Sequence, residues 1–354
     1  VQSLLNKIQH DLQSFEKEKE SLGDSALGMY KDPANDKYYF IKKSKKEDIG
    51  LIAQGSPQEQ QIINDILTEY LISLIGTQIP SLKICKYYIG KHKKMLRIFS
   101  ESFLESHENL FHGMELFSEA YASDDLESPR HKRYPSIYIL SNIKKHLYKF
   151  LKSQSLSKKE AYEIYQDFLN MCLWDAVIGN NDRHLQNWGI ITSLKSDHYP
   201  YFSPIYDTAR SFMWNKTDEK LQSNQVEKYC IKSTPHIGFI HGKKCNHFEL
   251  VEHILDSHPN IINSYIRIIK EFKLIDTNSI ISNDPLLSTS ICTKRIKIIK
   301  EILEYRIQTL DQIVSTKQSH VNIKKYIKKF STNLRCYLTN QFNRAMANLT
   351  TKTN

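Results

Sequence analysis

The chain has 354 residues, 40% hydrophobic and 25% charged, with a net charge of +10. That balance excludes a disordered chain and allows one large or two moderate cores. No apolar run approaches the ~20 residues that span a bilayer, and Val1-Gln2-Ser3 opens no basic-then-apolar leader.

In chain order, Leu4, Ile8, Leu12 and Phe15 predict an amphipathic helix within residues 1–21. Gly23-Asp24-Ser25-Ala26-Leu27-Gly28 reads as a turn whose backbone N–H groups suit a phosphate. Asp36 to Lys43 is an aromatic-rich strand. From Gln60 to Ile75 apolar residues return at helical spacing, with Glu69 beside the stripe and Gly76 to Pro80 closing it. Met95 to Phe99 is another strand, running into Ser100 to Leu104. Residues 22–104 thus predict a strand-rich small lobe with one helix.

Residues 105–275 predict a helical large lobe. Phe168, Leu169, Met171, Cys172, Leu173, Ala176, Val177 and Ile178 form a mostly buried helix ending at Gly179. A polar loop, Asn180 to Asn187, leads into a short strand from Trp188 to Thr192. A second apolar run, Tyr199 to Ile205, precedes the isolated Asp207. Gly238 to Lys244 is one residue short of a phosphate-loop spacing and lacks its Ser/Thr. His241, Cys245, His247, His253 and His258 fit no zinc spacing and are expected on a polar surface. No Gly-x-Ser-x-Gly elbow supports a hydrolase. The polar stretch Asp276 to Pro285 predicts a boundary before a helical basic region, 276–354, where Ile296, Ile299, Ile302, Leu303, Ile307 and Leu310 keep helical spacing. Six cysteines, Cys85, Cys172, Cys230, Cys245, Cys292 and Cys336, follow no framework spacing, which predicts reduced thiols and a cytoplasmic setting.

The densest chemistry lies in Asn180-Asn181-Asp182-Arg183-His184-Leu185-Gln186-Asn187 and in Asp207. An Asp five residues before an Asn, then a second Asp, suits phosphoryl transfer. Two unit charges ~4 Å apart at an effective dielectric of ~20 repel by ~4 kcal/mol. Carboxylates therefore tolerate a triphosphate only with divalent metal between them. Asn187 would add an oxygen ligand without charge, and Asp207 would add a charged one. Asp182 is left to accept a hydrogen bond from a substrate hydroxyl.

Asn180-Asn181-Asp182-Arg183-His184 with Asn187-Trp188-Gly189 resembles the catalytic loop of HipA-like serine/threonine kinases. Ser203-Pro204-Ile205-Tyr206-Asp207-Thr208-Ala209-Arg210 resembles that family's metal segment. The resemblance is good over roughly residues 165–215 and loose upstream. Phosphoinositide kinases share Asp-Arg-His-x-x-Asn, but their metal Asp is normally followed by Phe-Gly, whereas Thr-Ala follows here. The resemblance implies an α+β, bilobal protein-kinase-like fold using ATP with Mg²⁺ or Mn²⁺. It makes Lys42 the strand lysine on the ATP phosphates, with Lys43 one residue out of phase. Glu69 becomes its helix partner, with Glu59 and Asp65 as alternatives. Gly23, Asp24, Ser25 and Gly28 become the phosphate cover, with Ser25 a candidate autophosphorylation site, and Phe103 lies at the adenine hinge. Arg183 and His184 become structural members of the catalytic loop. A bacterial toxin or a secreted effector kinase both fit that family, the latter placed in the host cytosol or on the cytoplasmic face of host membranes.

The charge is uneven. Residues 130–159 hold nine Lys/Arg and no acid, residues 294–344 hold twelve against three acids, and the remainder of the chain is −8. Two such blocks imply a polyanionic partner. Arg130, Lys132, Arg133, Lys144, Lys145 and Lys149 form the first, and Lys324, Lys325, Lys328 and Lys329 are the core of the second. Without a nucleic-acid-binding module, an inositol polyphosphate, a phosphoinositide or an anionic membrane is favoured over nucleic acid. The protein substrate is not legible. A lipid kinase using the same trio is the first rival, and a pseudokinase binding module is the second.

Overall fold

The computed structural model describes residues 8, 10–19, 26–44, 57–92, 95–117, 138–195 and 199–350, most side chains beyond residue 323 excepted. Its small lobe is a six-stranded sheet. The strands are β1 (His10–Asp11), β2 (Glu16–Lys19), β3 (Ala26–Asp32), β4 (Lys37–Lys42), β5 (Tyr88–His92) and β6 (Met95–Glu101), in the order β1-β5-β6-β4-β3-β2. Only β1 pairs in parallel, with β5. Strand alternation sorts β4: Tyr39 and Ile41 are buried with Leu12, Tyr30 and Phe99 in a small outer core, while Phe40 and Lys42 take the opposite face. That opposite face carries helix α1 (Pro57–Gly76), whose Ile62, Ile66, Leu71, Ile72 and Ile75 join the main core.

The expected first helix is overturned where the segment is described. Residues 10–11 and 16–19 are strands, because Leu12 and Phe15 complete the outer aromatic core instead of lining one helix face. Gly28 is not in a turn either. It sits within β3 at φ 131°, at a break in register beside Ile41, a conformation that favours glycine. Its partners Gly23, Asp24 and Ser25 lie outside the described residues.

The large lobe is built on α4 (Lys158–Ile178), which follows a short α2 (Gly113–Leu116) and α3 (Leu140–Ser153). Ser157 and Glu160 form a capping box at the start of α4, and Gly179 ends it in the left-handed conformation at φ 71°. Fourteen of its residues are buried, so it is apolar nearly all round. A three-stranded sheet, β7 (Glu108–His112), β8 (Gly189–Ser193) and β9 (Tyr201–Phe202), follows the order β7-β8-β9 and holds the two ends of the candidate loops. Helices α5 (Val226–Lys232), α6 (His247–Ser257) and α7 (Ile262–Lys273) complete the lobe.

Two further expectations change. The polar stretch after residue 275, read as a boundary, is itself helical: Asp276 and Asp284 cap short helices α8 (Thr277–Asn283) and α9 (Pro285–Ser290), each accepting two backbone N–H bonds. The last region is not a peripheral extension at its start. Helix α10 (Thr293–Thr350) buries Ile298, Ile299, Ile302, Leu303, Leu310 and Val314 in the main core. Arg306 on this helix is fully buried and donates to the carbonyls of Ala176 (2.7 Å) and Cys230 (3.2 Å), satisfying the last turn of α4. His247, expected at the surface, is also fully buried, and burial holds it well below its usual pKa.

Gly179→Ala should be costly. Its left-handed backbone disfavours a side chain by about 1–2 kcal/mol, and an added Cβ would meet Arg306 Cζ at 2.9 Å; a lowered thermal midpoint checks this. Burial, with Lys144 and His253 adding, pushes His258 from an ordinary 6.5 down to about 4, while its Nε2 lies 3.3 Å from Tyr165 Oη. The unfolded chain takes up a proton the folded one refuses. This stability contribution is therefore complete above about pH 6.5 and is lost as pH falls towards about 4. His258→Gln should flatten that part of a stability-versus-pH curve.

Candidate active site

The buried acid Asp175 organises the loop after α4. Its Oδ2 accepts Arg183 Nε at 2.8 Å, and its Oδ1 accepts Arg183 Nη2 and Asn180 Nδ2, each at 2.9 Å. Arg183 Nη1 then donates to the carbonyl of Asn187 and, at 2.6 Å, to that of Tyr206. One guanidinium therefore fixes Asn187 and the residue immediately before Asp207. Burial works against its charge, but Asp175 outweighs that and raises its pKa. The structural role expected of Arg183 acquires a named partner here. Sequence reasoning missed Asp175, although an acid within Leu173-Trp174-Asp175-Ala176-Val177 was the available signal.

Asn187 is 4% exposed, and its Nδ2 donates to the Asp182 carbonyl at 2.8 Å. Only the amide nitrogen can make that bond, so Oδ1 is the acceptor left for a cation. His184 Nδ1 accepts the Gln186 N–H at 3.2 Å, a loop-shaping contact. Trp188 is buried, donates to Tyr138 Oη at 2.7 Å and anchors the loop's far end. The Asp182 carboxylate faces Arg210 Nε at 2.9 Å and His236 Nε2 at 3.6 Å. Arg210 and His236 were not singled out by sequence.

Lys42 Nζ lies 3.0 Å from Glu69 Oε1, 3.5 Å from Asp207 Oδ1 and 3.4 Å from Tyr87 Oη. Burial penalises its charge, but Asp207 and Glu69 together overcome this and hold its pKa well above the usual lysine range. Burial, reinforced by Asp207, pushes Glu69 upward against the pull of Lys42. Glu69 is the acid on Lys42, whereas Asp65 is buried and accepts from Ser44 Oγ at 2.9 Å. Tyr87 Oη also accepts the Asp207 N–H at 3.2 Å, so one buried tyrosine spans lysine and metal segment. Asp207 has φ 55°, a turn that lifts it out of the apolar run before it.

Lys42, Glu69, Asp182 and Asp207 line one cleft between the lobes with Lys43, Asp65 and Arg210. Lys43 was expected on the opposite face from Lys42, but the strand ends at Lys42 and its alternation with it. The cleft encloses only about 10 Å³, roughly one water. Two wider grooves, of about 740 and 410 Å³, lie behind α1 and contain none of these residues. Among the described residues no cluster of three His, Cys, Asp or Glu could hold a metal alone. An Asn and an Asp completed by phosphate oxygens suit Mg²⁺.

Phe103 lies just past β6, its ring stacked on Tyr206 at 5.8 Å. Of the first basic block, Lys145 and Lys149 are exposed on α3, while half-buried Lys144 lies over the rings of Tyr148 and Tyr165. Arg130, Lys132 and Arg133 lie outside the described residues. So do the side chains of Lys324, Lys325, Lys328 and Lys329, whose backbone is helical within α10.

No family model and no curated protein matches this sequence. Solved structures do. The chain is similar to the Helicobacter pylori proinflammatory kinase CtkA at 16% identity, over 88% of this chain and 98% of that one, with a TM-score of 0.66. That likeness shows a protein-kinase-like fold. The Shewanella oneidensis HipA toxin in its HipA–HipB–operator DNA complex matches at 12% identity, over 85% of this chain and 68% of that one, with a TM-score of 0.41. A Golgi casein kinase with Mn/ADP bound matches at 12%, over 88% and 75%, with a TM-score of 0.37.

Arg183→Met should leave Asp175 buried without its counter-charge and lower the unfolding free energy by about 3–5 kcal/mol. A denaturant midpoint equal to that of the parent would rule out this pair as the clamp of the loop.

Proposed function

We propose that the protein is an ATP-dependent kinase that phosphorylates Ser or Thr on a protein. The observation carrying this reading is the convergence on one cleft of Lys42 paired with Glu69, of Asp207 beside them, and of Asp182 opposite. The kinase-like fold supports it. Lys42 orients the ATP phosphates and Glu69 holds the lysine. Asn187 Oδ1 and Asp207 would hold Mg²⁺ or Mn²⁺, which when bound neutralises charge building on the transferred phosphoryl group. Asp182 accepts a hydrogen bond from the acceptor hydroxyl and positions it for in-line attack. Rate enhancement rests on positioning and preorganised charge.

The two basic blocks lead us to place an inositol polyphosphate or phosphoinositide at the surface as activator or anchor, and to favour an effector or toxin role in a cytoplasm, near anionic membrane. Exposed Lys145 and Lys149 support this for the first block. No described helix is long and apolar enough to cross a membrane.

Labelled ATP with Mg²⁺ or Mn²⁺ should pass phosphate to protein and not to phosphoinositide vesicles. Asp182→Asn should lower the rate about 10²–10⁴-fold, and Asp207→Ala should remove metal-dependent turnover. Transfer to lipid alone would replace this reading with a lipid kinase, and equal transfer by Asp207→Ala would reject the metal assignment. Replacing Lys145 and Lys149 with Ser should weaken binding to inositol hexakisphosphate or to anionic vesicles; unchanged binding to both would remove the polyanion proposal for that block.

A further inference from the structure

Helix α1 carries Glu69, so whatever fixes α1 against the large lobe also fixes the Lys42 pair. Its amino-terminal half is held by side chains that belong to no part of the phosphotransfer trio. Gln60 Nε2 donates to Asp218 Oδ2 at 2.8 Å, and Gln60 Oε1 accepts the Asp218 N–H at 3.2 Å. One turn on, Asn64 Nδ2 donates to the Lys216 carbonyl at 3.3 Å, and Gln61 Nε2 donates to that of Asn215 at 3.2 Å. The segment they grip follows Asp207 and includes Phe212 and Met213, both buried and both at positive φ, 53° and 55°. Non-glycine residues keep that conformation only where surrounding packing enforces it.

That segment is gripped from its other side by α10. Arg295 is 3% exposed, its Nε lies 2.7 Å from Asp218 Oδ1, and its Nη2 donates to the Lys216 carbonyl at 2.5 Å. Asp218 thus gives one carboxylate oxygen to α1 and the other to α10. Eleven residues along α10, about three turns and so on nearly the same face, Arg306 holds the last turn of α4, immediately before the candidate catalytic loop. One rigid helix therefore touches the supports of both halves of the cleft.

We infer that Arg295 is a positioning residue: through Asp218 and Gln60 it sets the place of α1, and with it the Lys42–Glu69 pair, relative to the catalytic loop that Arg306 supports. Its effect on catalysis rests on the kinase reading, but its effect on α1 does not. Displacements of about 1 Å remote from the chemistry can cost ~10²-fold in rate. Releasing this strut should therefore act on turnover beyond any loss of folded protein.

The test uses the full chain with Arg295→Met, Asp218→Asn and the milder Gln60→Ala. Lys317→Met is the control, since Lys317 lies on the same helix and pairs with Asp256 at 2.8 Å, away from α1. Hydrogen–deuterium exchange across residues 57–76 and acylation of Lys42 should both speed up in the three network variants and not in the control. Phosphate transfer per folded molecule should fall about 10–100-fold, and the loss should shrink when Glu69→Gln is already present, because both changes act on one pair. Unchanged exchange in folded variants, or acceleration spread evenly over the molecule, would overturn the inference, as would losses that multiply independently with Glu69→Gln. If the parent transfers no phosphate, the kinase reading fails, and exchange with Lys42 labelling still decides the role of Arg295. Should Arg295→Met not fold, Gln60→Ala removes the α1 end of the same chain of bonds and decides it.

Discussion

Arg183 and Asp175 lie buried between the end of α4 and the two segments that bear Asn187 and Tyr206, and the positions of those segments depend on them. The energetics explain why such a pair would be kept. Two unit charges ~4 Å apart attract by ~4 kcal/mol at an effective dielectric of ~20, and burying each ion costs several kcal/mol. The balance is close to even, so the pair adds little to stability by itself. What it adds is direction. A planar guanidinium has fixed N–H vectors, and here two point at a carboxylate and another at the carbonyls of Asn187 and Tyr206. Asn187 and Tyr206, separated in sequence by an entire hairpin, are thereby placed from one atom group.

The other half of the cleft follows a different logic. Lys42 faces two carboxylates and a tyrosine in a nearly dry space, and burial alone would favour its neutral form. Two anions on one cation reverse that preference. The arrangement keeps a positive charge in the cleft beside Glu69 and Asp207. Helix α1 shares the main core with the large lobe and is also tied to it by polar side chains on loop carbonyls and Asp218. Its other end is pinned by Tyr70 donating to Asp284 at 2.7 Å. The helix is therefore registered by hydrogen bonds of defined direction at both ends.

Much of this was legible in the sequence, for identifiable reasons. Helical spacing of apolar residues located α1 and α4, because each buries a broad stripe. Aromatic-rich composition located β4, and the choice of Lys42 over Lys43 came from the kinase resemblance. Asp182 and Asp207 line one cleft, and Asn187 bonds the Asp182 carbonyl. Failures came where local pattern and tertiary demand disagreed. Leu4, Ile8, Leu12 and Phe15 mimic a helix, yet the aromatic face of the sheet needed covering and took Leu12 and Phe15, which flank a turn between β1 and β2. The residues after 275 read as a boundary because Asn, Ser and Asp favour turns, but the aspartates among them cap helices when apolar positions such as Ile281 and Leu287 find a core.

The sequence by itself determined the order of strand-rich and helical segments and the types of group in the Asp182–Asn187 loop and at Asp207, which follow from periodicity, turn chemistry and the charge requirements of phosphate. The partner of the strand lysine came only from the kinase resemblance, with three candidate acids. Only the tertiary structure decided that Asp175 and Arg183 aim the loop, that Asp182 faces Arg210 and His236, and that the basic last helix begins as core and reaches both halves of the cleft through Arg295 and Arg306. Those outcomes depend on buried charged groups meeting across separations of eight to more than a hundred residues. A charged residue in sequence looks the same whether it is solvated or buried; which it becomes is settled when its hydrogen-bond partners are brought around it and water is excluded.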